Sequence, residues 1–377
     1  MKTFTYDDPE LGTLRYTDRK RYLWLLAVFF PLIPFVGMGL SLWNGSEWAL
    51  WLPLLAVYIL IPILDFIFPN DASNPPEEVI PQLEADPYYR RLNHLTIPLH
   101  FIVLVCGTWF VAAQEPGWFG MLGLALLVGA IGGFGVNIGH ELGHKKELAD
   151  RLAARLVLAV PFYGHFTMEH NAGHHAQVAT PEDSASARMG ESIYRFAQRE
   201  IPGGISRAWT LERQRLERRG ASAWSWRNQI LQSYAVSLLL YGALLWAFGL
   251  AALPFLLIQA AWSWWQLTSA NYVEHYGLLR GKGPDGRYER CRPRHSWNAN
   301  HLASNLLLFH LERHSDHHAY AARRYQSLRH YEDVPQLPSG YFGMFLLAYV
   351  PPLWFRVMDP KVLALVDGDL SKINRKP

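Results

Sequence analysis

The sequence predicts an all-α, polytopic membrane protein with six transmembrane helices in three hairpins and a helical cap on the cytoplasmic side. Three observations support this fold class. Half of the 377 residues are hydrophobic, and the 15 Trp, 18 Tyr and 19 Phe are typical of membrane-interface belts. Apolar runs long enough to cross about 30 Å of hydrocarbon occur in closely spaced pairs. Lys and Arg are concentrated in the segments on one side of these runs.

The apolar runs define the predicted hairpins. They pair residues 22–43 with 48–68, 94–113 with 118–139, and 230–250 with 254–272. The chain is expected to be a single membrane domain whose cap comprises residues 140–229 and 273–377. A further apolar stretch at 341–354 is interrupted by Pro351 and Pro352, so we expect it to lie at the membrane interface.

The distribution of charge orients the predicted spans. Arg19, Lys20 and Arg21 precede the first span and an arginine run lies at 213–219, whereas the opposite loops contain almost no Lys or Arg. By the positive-inside rule, both termini and the cap are cytoplasmic, and a bacterial inner membrane is the expected location. The first 20 residues are polar and charged, so no cleavable signal peptide is expected.

Composition also excludes several classes of protein. The net charge of +3 is too small to indicate nucleic-acid binding. In addition, no basic run interleaves with the aromatic residues, as a nucleic-acid-binding surface would require. The two cysteines, Cys106 and Cys291, indicate neither a disulfide framework nor a thiolate metal site.

Four histidine-rich segments carry the predicted chemistry. They read HELGHK at 140–145, EHNAGHH at 169–175, NYVEHYG at 271–277 and LERHSDHH at 311–318. On an α-helix, residues i and i+4 share a face, which pairs His170 with His174 and leaves His175 about 100° away. His174 and His175 are therefore candidates to serve different metals. All four segments lie on the side that charge alone predicts to be cytoplasmic, which supports a single site.

The number of histidines indicates two metals. One tetrahedral zinc needs three or four ligands, whereas nine imidazoles suit two metals with four or five nitrogen ligands each. The nine predicted ligands are His140, His144, His170, His174, His175, His275, His314, His317 and His318. Five carboxylates are candidates to bond the free ring nitrogens, although each is equally explained as a solvated acid or a helix cap: Glu141, Glu169, Glu274, Asp316 and Asp65.

Other interpretations of the histidines stay open. His140-Glu-Leu-Gly-His144 matches the zinc-metalloprotease signature with Glu141 as general base, but that site would leave six of the nine histidines without a role. A metal transporter or sensor would distribute its ligands along a path through the membrane. Six further histidines are expected to be structural or to flank the site: His94, His100, His165, His295, His301 and His310.

These segments together resemble a known family. The chain is similar to the integral-membrane alkane 1-monooxygenases, the AlkB-type alkane hydroxylases, within the membrane fatty-acid desaturase and hydroxylase superfamily. The superfamily has boxes of the form H-x(3)-H, H-x(3)-HH and H-x(2)-HH, which stand here at 140–144, 170–175 and 314–318. The alkane hydroxylase branch adds Asn-Tyr-x-Glu-His-Tyr-Gly-Leu, found at 271–278. The resemblance covers nearly the whole chain.

The resemblance implies the reaction and its participants. It implies two iron ions, O2 as oxidant, and hydroxylation of the terminal methyl of medium-chain n-alkanes. It also implies rubredoxin, with its reductase, as electron donor. Rubredoxin binds iron through four cysteines, so the donor is expected to be a separate chain or a fused domain outside this sequence. Because rubredoxins are acidic, the run at 213–219 is a candidate docking patch, although a solvated basic helix explains it equally well.

The substrate constrains the expected access route. An alkane partitions into the bilayer and has no polar handle, so a narrow apolar tunnel must position its terminal methyl at the metals. Val57 lies about 12 Å from Asp65 toward the membrane middle, and we predict that its small side chain keeps this tunnel open. The nearest alternative enzyme is a membrane fatty-acyl desaturase or hydroxylase with the same metal site, against which the segment at 271–278 argues.

Overall fold

The computed structural model describes residues 1–8 and 12–376, and these are mostly helical. The N-terminal part is an antiparallel hairpin of β1 (Lys2–Asp8) and β2 (Gly12–Asp18), in which Lys2 pairs with Asp18. This hairpin departs from the all-α prediction. Its strands carry the alternation of Thr, aromatic and charged side chains that fits a half-exposed pleated surface.

The predicted spans correspond to helices within a few residues. The first two comprise α1 (Leu25–Phe29) with α2 (Ile33–Asn44), and α3 (Leu52–Ile67). A short helix, α4 (Ile80–Ala85), leads to the second pair, α5 (Pro87–Gln114) and α6 (Trp118–Gly143). Pro sits in the first turn of several of these helices, where its missing N–H costs no hydrogen bond.

The rest of the chain forms the parts around the histidines and the third pair. The elements are α7 (Leu148–Ala159), α8 (Phe166–Glu169), a π-helical turn (His170–His174), α9 (His175–Gln177), α10 (Ile193–Glu217), α11 (Gln229–Phe248), α12 (Leu253–His275), α13 (Leu302–Leu307), α14 (His314–Ala319), α15 (Tyr341–Ala348) and α16 (Pro351–Ala364).

Four helical stretches are long and apolar enough to cross a membrane, namely 25–44, α5, α6 and α11. A fifth is possible if α15 and α16, which bend by 118°, form one broken span. α3 is apolar but has only 16 residues, and α12 carries buried polar side chains such as Gln259 and Gln266 that lower its hydropathy. The chain is an integral membrane protein, and its exact number of spans remains a prediction.

Segment 148–166, which was predicted to belong to the cytoplasmic cap, packs beside α6 and α12. Leu158 of α7 lies where a Cβ on Gly139 of α6 would be, and the indole of Trp264 donates to the carbonyl of Pro161. Along α12, Trp264 lies about 16 Å from His275, toward the other end of the helix. The segment therefore packs against α6 and α12 along part of their length. The hydropathy of the segment did not predict this packing, because α7 is short and carries Arg151 and Arg155.

The core lies between α6 and α12. The side chain of Ser263 donates to the carbonyl of Gly129, and a Cβ on Gly132 or Gly133 would collide with Ser263 or Gln266. Small residues thus let the two helices approach closely, as is usual where lipid supplies no hydrophobic drive for association. This contact sets His140 and His275 at neighbouring helix ends.

Candidate metal centre

The nine predicted histidines converge at one end of the helix bundle in two groups. The first group contains His140, His144, His170, His175 and His317, and the second contains His174, His275, His314 and His318. Within each group, one ring nitrogen per residue lies within 4.8 Å of the others. The other histidines singled out in the sequence belong to neither group among the described residues.

Four sets of elements supply these rings. The C-terminal end of α6 carries His140 and His144, the end of α12 carries His275, and α14 carries the three rings at 314–318. The fourth set is the π-helical turn with the start of α9. His140 Nε2 is 2.8 Å from His317 Nε2, and His318 Nε2 is 2.8 Å from His314 Nε2. The first of these contacts joins residues that are far apart in sequence.

The π-helical turn divides the second histidine segment between the two groups. The N–H of His175 donates to the carbonyl of His170, five residues earlier, so His170 and His175 share a face with their Nε2 atoms 3.0 Å apart. His174 points to the other group. The expected α-helical pairing of His170 with His174 is therefore wrong, because the wider turn shifts the shared face by one residue.

The rings are suited to bind cations. Burial, reinforced by neighbouring imidazoles, holds the pKa of His170, His175, His314, His317 and His318 well below its ordinary value. The Nε2 atoms of His144, His174 and His275 are buried without a protein partner in the described chain. Neutral imidazoles with free nitrogens aimed at a common point are the donor set of a transition-metal site. The residues present thus fit two such ions.

Only one predicted carboxylate touches a ring of the two groups. Glu274 Oε2 lies 3.1 Å from His314 Nε2, and its Oε1 accepts a hydrogen bond from the Tyr341 hydroxyl at 2.9 Å. The other four contact different partners. Glu141 pairs with Lys145, Glu169 with Arg207, Asp316 with Arg323, and Asp65 accepts from the Ser304 backbone in the first turn of α13. Asp65 thus caps a helix.

Sequence reasoning missed Asp183. Its Oδ2 lies 2.9 Å from His174 Nδ1, and its Oδ1 lies 2.8 Å from the guanidinium of Arg207. Burial alone would lower the pKa of His174, but the Asp183 carboxylate outweighs burial and raises it. No spacing rule identifies such a residue, because the loop before α10 folds back to bring Asp183 under the ring.

An apolar cavity leads from the membrane part of the bundle to both groups. Its volume is small, about 70 Å³. Val57 and Phe342 line it at the membrane side, and His140, His170 and His314 line it where the two groups meet. Most of the other lining side chains are apolar or aromatic. The lining suits an apolar ligand with one end at the histidines.

Comparison with known proteins identifies the family. A sequence model of the fatty acid desaturase family matches residues 116–348. The alkane 1-monooxygenase of Pseudomonas putida is 55% identical over 361 residues, covering 95% of this chain and 89% of the relative. The chain belongs to the alkane 1-monooxygenase family. The alkane 1-monooxygenase of Acinetobacter baylyi is 42% identical over 97% of this chain and 90% of its own length.

The family is one of oxidoreductases within a wider group. The xylene/toluene monooxygenase hydroxylase component of Pseudomonas putida is 29% identical over 93% of this chain and 89% of its own length. The resemblance drawn from the histidine segments is thus confirmed at the level of the family. The desaturase relationship and the clustered histidines together indicate a metal-binding membrane enzyme.

Proposed function

We propose that this chain is a di-iron monooxygenase that converts medium-chain n-alkanes to 1-alkanols, using O2 and two electrons delivered by rubredoxin. The observation that carries the proposal is the end of the apolar cavity, where His140 and His170 of one group meet His314 of the other. The names of the relatives support an alkane as substrate.

The two histidine groups would each hold one iron. With five and four imidazoles, neither group needs a protein carboxylate to reach the usual ligand number. Bound iron would supply the activation of O2, which neutral imidazoles cannot perform. The chain's own side chains then position the substrate: the apolar walls exclude water and align the alkane, so that only its terminal methyl reaches the histidines.

Membrane orientation and partners complete the proposal. The side that carries the histidines would face the cytoplasm of a bacterial inner membrane, in agreement with the basic segments on that side. Rubredoxin, reduced by its reductase, would approach from there, whereas the alkane would enter from the lipid through the six-span bundle. Glu274 would lie beside the second iron position, because its carboxylate is 3.1 Å from His314 Nε2, the nitrogen that also faces His318.

The central test is turnover of octane by the purified, iron-loaded protein. With ¹⁸O2, reduced rubredoxin and metal analysis, we expect ¹⁸O-labelled 1-octanol and two irons per chain. Unlabelled 1-octanol, or no product from fully iron-loaded protein, would contradict the proposal. A fatty-acyl desaturase or hydroxylase is the second candidate, because the family model that matches is that of the desaturases. An acyl thioester offered beside octane separates the two activities.

Val57 tests the assignment of the cavity to the substrate. Its side chain is buried and lines the cavity, so Val57→Trp should fill the membrane end and shorten the range of alkanes oxidised. The measurement is the product yield across alkanes of increasing length. Leu55→Trp is a matched control, because Leu55 lies on the same helix and is 45% exposed on its outer face. If Val57→Trp oxidises the same range of alkane lengths as the unmodified enzyme, Val57 does not line the substrate tunnel.

A further inference from the structure

A second, larger cavity opens beside the metal centre and is bordered by a strongly basic segment. The volume of this cavity is about 810 Å³. Its border includes Arg280, Lys282 and Arg294 from segment 280–294, and Lys372 from the C-terminal part. Segment 280–294 contains six basic and two acidic residues, so it carries more net positive charge than the whole chain, whose net charge is +3.

Much of this charge is available to a partner. The side chains of Arg287 and Arg292 are 88% and 64% exposed, and their nearest carboxylates are 3.9 and 3.8 Å away. Exposed pairs at such distances contribute little, so these charges project a positive potential into solvent. By contrast, Arg215 in the run at 213–219 is held by Glu212 at 2.6 Å.

Residues that border this cavity contact the surroundings of both histidine groups. The guanidinium of Arg280 donates to the carbonyl of Ala176 at 2.7 Å, and Ala176 directly follows His175. The carbonyl of His295 lies 3.4 Å from His275 Nδ1, and His295 also lines the cavity. The wall of the cavity is thus one hydrogen bond from a ring of the second group. Through Arg280, the wall is also bonded to Ala176, the residue next to His175 of the first group.

We propose that this cavity and segment 280–294 form the docking surface for an acidic one-electron carrier protein. The inference rests on the proposed function, since each insertion of one oxygen atom from O2 into a C–H bond, with the other released as water, consumes two electrons and two protons. The two cysteines of the chain are unpaired, so they offer no redox pair of their own. The electrons must therefore enter from a partner, and this basic surface is connected to both histidine groups by the contacts of Arg280 and His295.

Charge reversal at two exposed positions tests the surface. In Lys282→Glu/Arg292→Glu, we expect the KM for reduced rubredoxin at low ionic strength to rise about tenfold or more, because charges at the edge of an interface mainly change the association rate. The kcat at saturating donor and the KM for octane should not change. The same variant should lose most of the salt dependence that the unmodified enzyme shows.

The rival surface supplies the comparison. Arg218→Glu/Arg219→Glu makes the same change of charge at the end of α10, and we expect it to leave the KM for rubredoxin within twofold. An equal rise in both variants, or a rise only in the second, would overturn the proposal. Direct binding of rubredoxin to the unmodified and Lys282→Glu/Arg292→Glu proteins is measured in parallel. Binding that fails to weaken refutes the docking surface, whereas weakened binding without any octanol from the unmodified enzyme refutes the proposed reaction alone.

Discussion

At the scale of single residues, the contact between Asp183 and His174 is the clearest addition to the predicted site. Asp183 is completely buried, and besides the ring of His174 it accepts a hydrogen bond from Ser186 at 2.6 Å. The adjacent guanidinium of Arg207 balances its charge. A carboxylate held in this way fixes the ring orientation and makes the opposite nitrogen a stronger donor to a metal.

Asp183→Asn should therefore weaken metal binding in the second group. Loss of a carboxylate behind a ligating histidine typically costs about 10–100-fold in metal affinity or activity. Iron retained after dialysis against a chelator, together with octane turnover, measures the effect. Glu182→Gln is the control, since Glu182 is the adjacent acid but is exposed and contacts Tyr288. Retention of iron equal to that of the unmodified protein would contradict a role for Asp183.

The residue scale also shows what spacing can and cannot predict. The histidines were identifiable because three boxes repeat short fixed spacings, each within one helical segment. The carboxylates were predicted because they are adjacent to the histidines in sequence. Side chains of adjacent residues point in different directions, so most of these carboxylates pair with cations instead of the histidine rings: Glu141 pairs with Lys145 and Asp316 with Arg323. Glu274 contacts a ring of the site because it lies at the end of α12, beside α14.

At the scale of elements, α7 with its following turn shows how polar backbone is accommodated beside the spanning helices. The carbonyl of Val160 accepts hydrogen bonds from the hydroxyl of Tyr241 at 2.8 Å and from Gln259 Nε2 at 3.2 Å. A backbone carbonyl that packs among membrane-spanning helices needs a donor from the protein, because hydrocarbon supplies none. Side chains of α11 and α12 supply them.

A double-mutant cycle measures this arrangement. Tyr241→Phe and Gln259→Leu should each lower the free energy of unfolding by about 1 kcal/mol, because either donor alone still satisfies the Val160 carbonyl. The double variant orphans the carbonyl, so its loss should exceed the sum by about 1–3 kcal/mol. Unfolding in detergent micelles, followed by tryptophan fluorescence, provides the comparison. Additive losses would show that the carbonyl finds another partner.

At the scale of the whole molecule, one buried acid links stability to pH. Glu200 on α10 accepts hydrogen bonds from Thr268 at 2.8 Å and Asn271 at 3.2 Å, and no cation pairs with it among the described side chains. Burial raises the pKa of Glu200 to about 7. The folded protein thus prefers the protonated acid, whereas the unfolded chain ionises near the ordinary value of about 4.3.

The sign of the pH effect follows from this difference. The stabilising contribution of Glu200 is fully present below about pH 4.3 and is lost as the pH rises through about 7. Glu200→Gln, which cannot ionise, should therefore melt at a higher temperature than the unmodified protein at pH 8, and its gain should be much smaller at pH 5. Melting curves at both values measure the difference. A gain of equal size at pH 5 would show that ionisation is not its cause.

The fold as a whole was predictable where one physical effect dominates. Hydrophobic runs located six helices to within a few residues, because the membrane-facing surface of each helix must be apolar along its length. The same criterion failed for α7, whose apolar face is interrupted by Arg151 and Arg155, and for the β-hairpin, whose strands are short. Which histidine joins which group depends on backbone geometry that spacing does not specify.

The π-helical turn at 170–174 has a consequence for comparing related sequences. Residue counts in a motif such as H-x(3)-HH do not record how many residues complete each turn. The same letters wound as a regular α-helix would exchange the places of His174 and His175. Two aligned chains are therefore equivalent at this segment only if both retain the wide turn. An insertion or deletion of one residue between His170 and His175 would reassign a ligand while leaving every histidine in place.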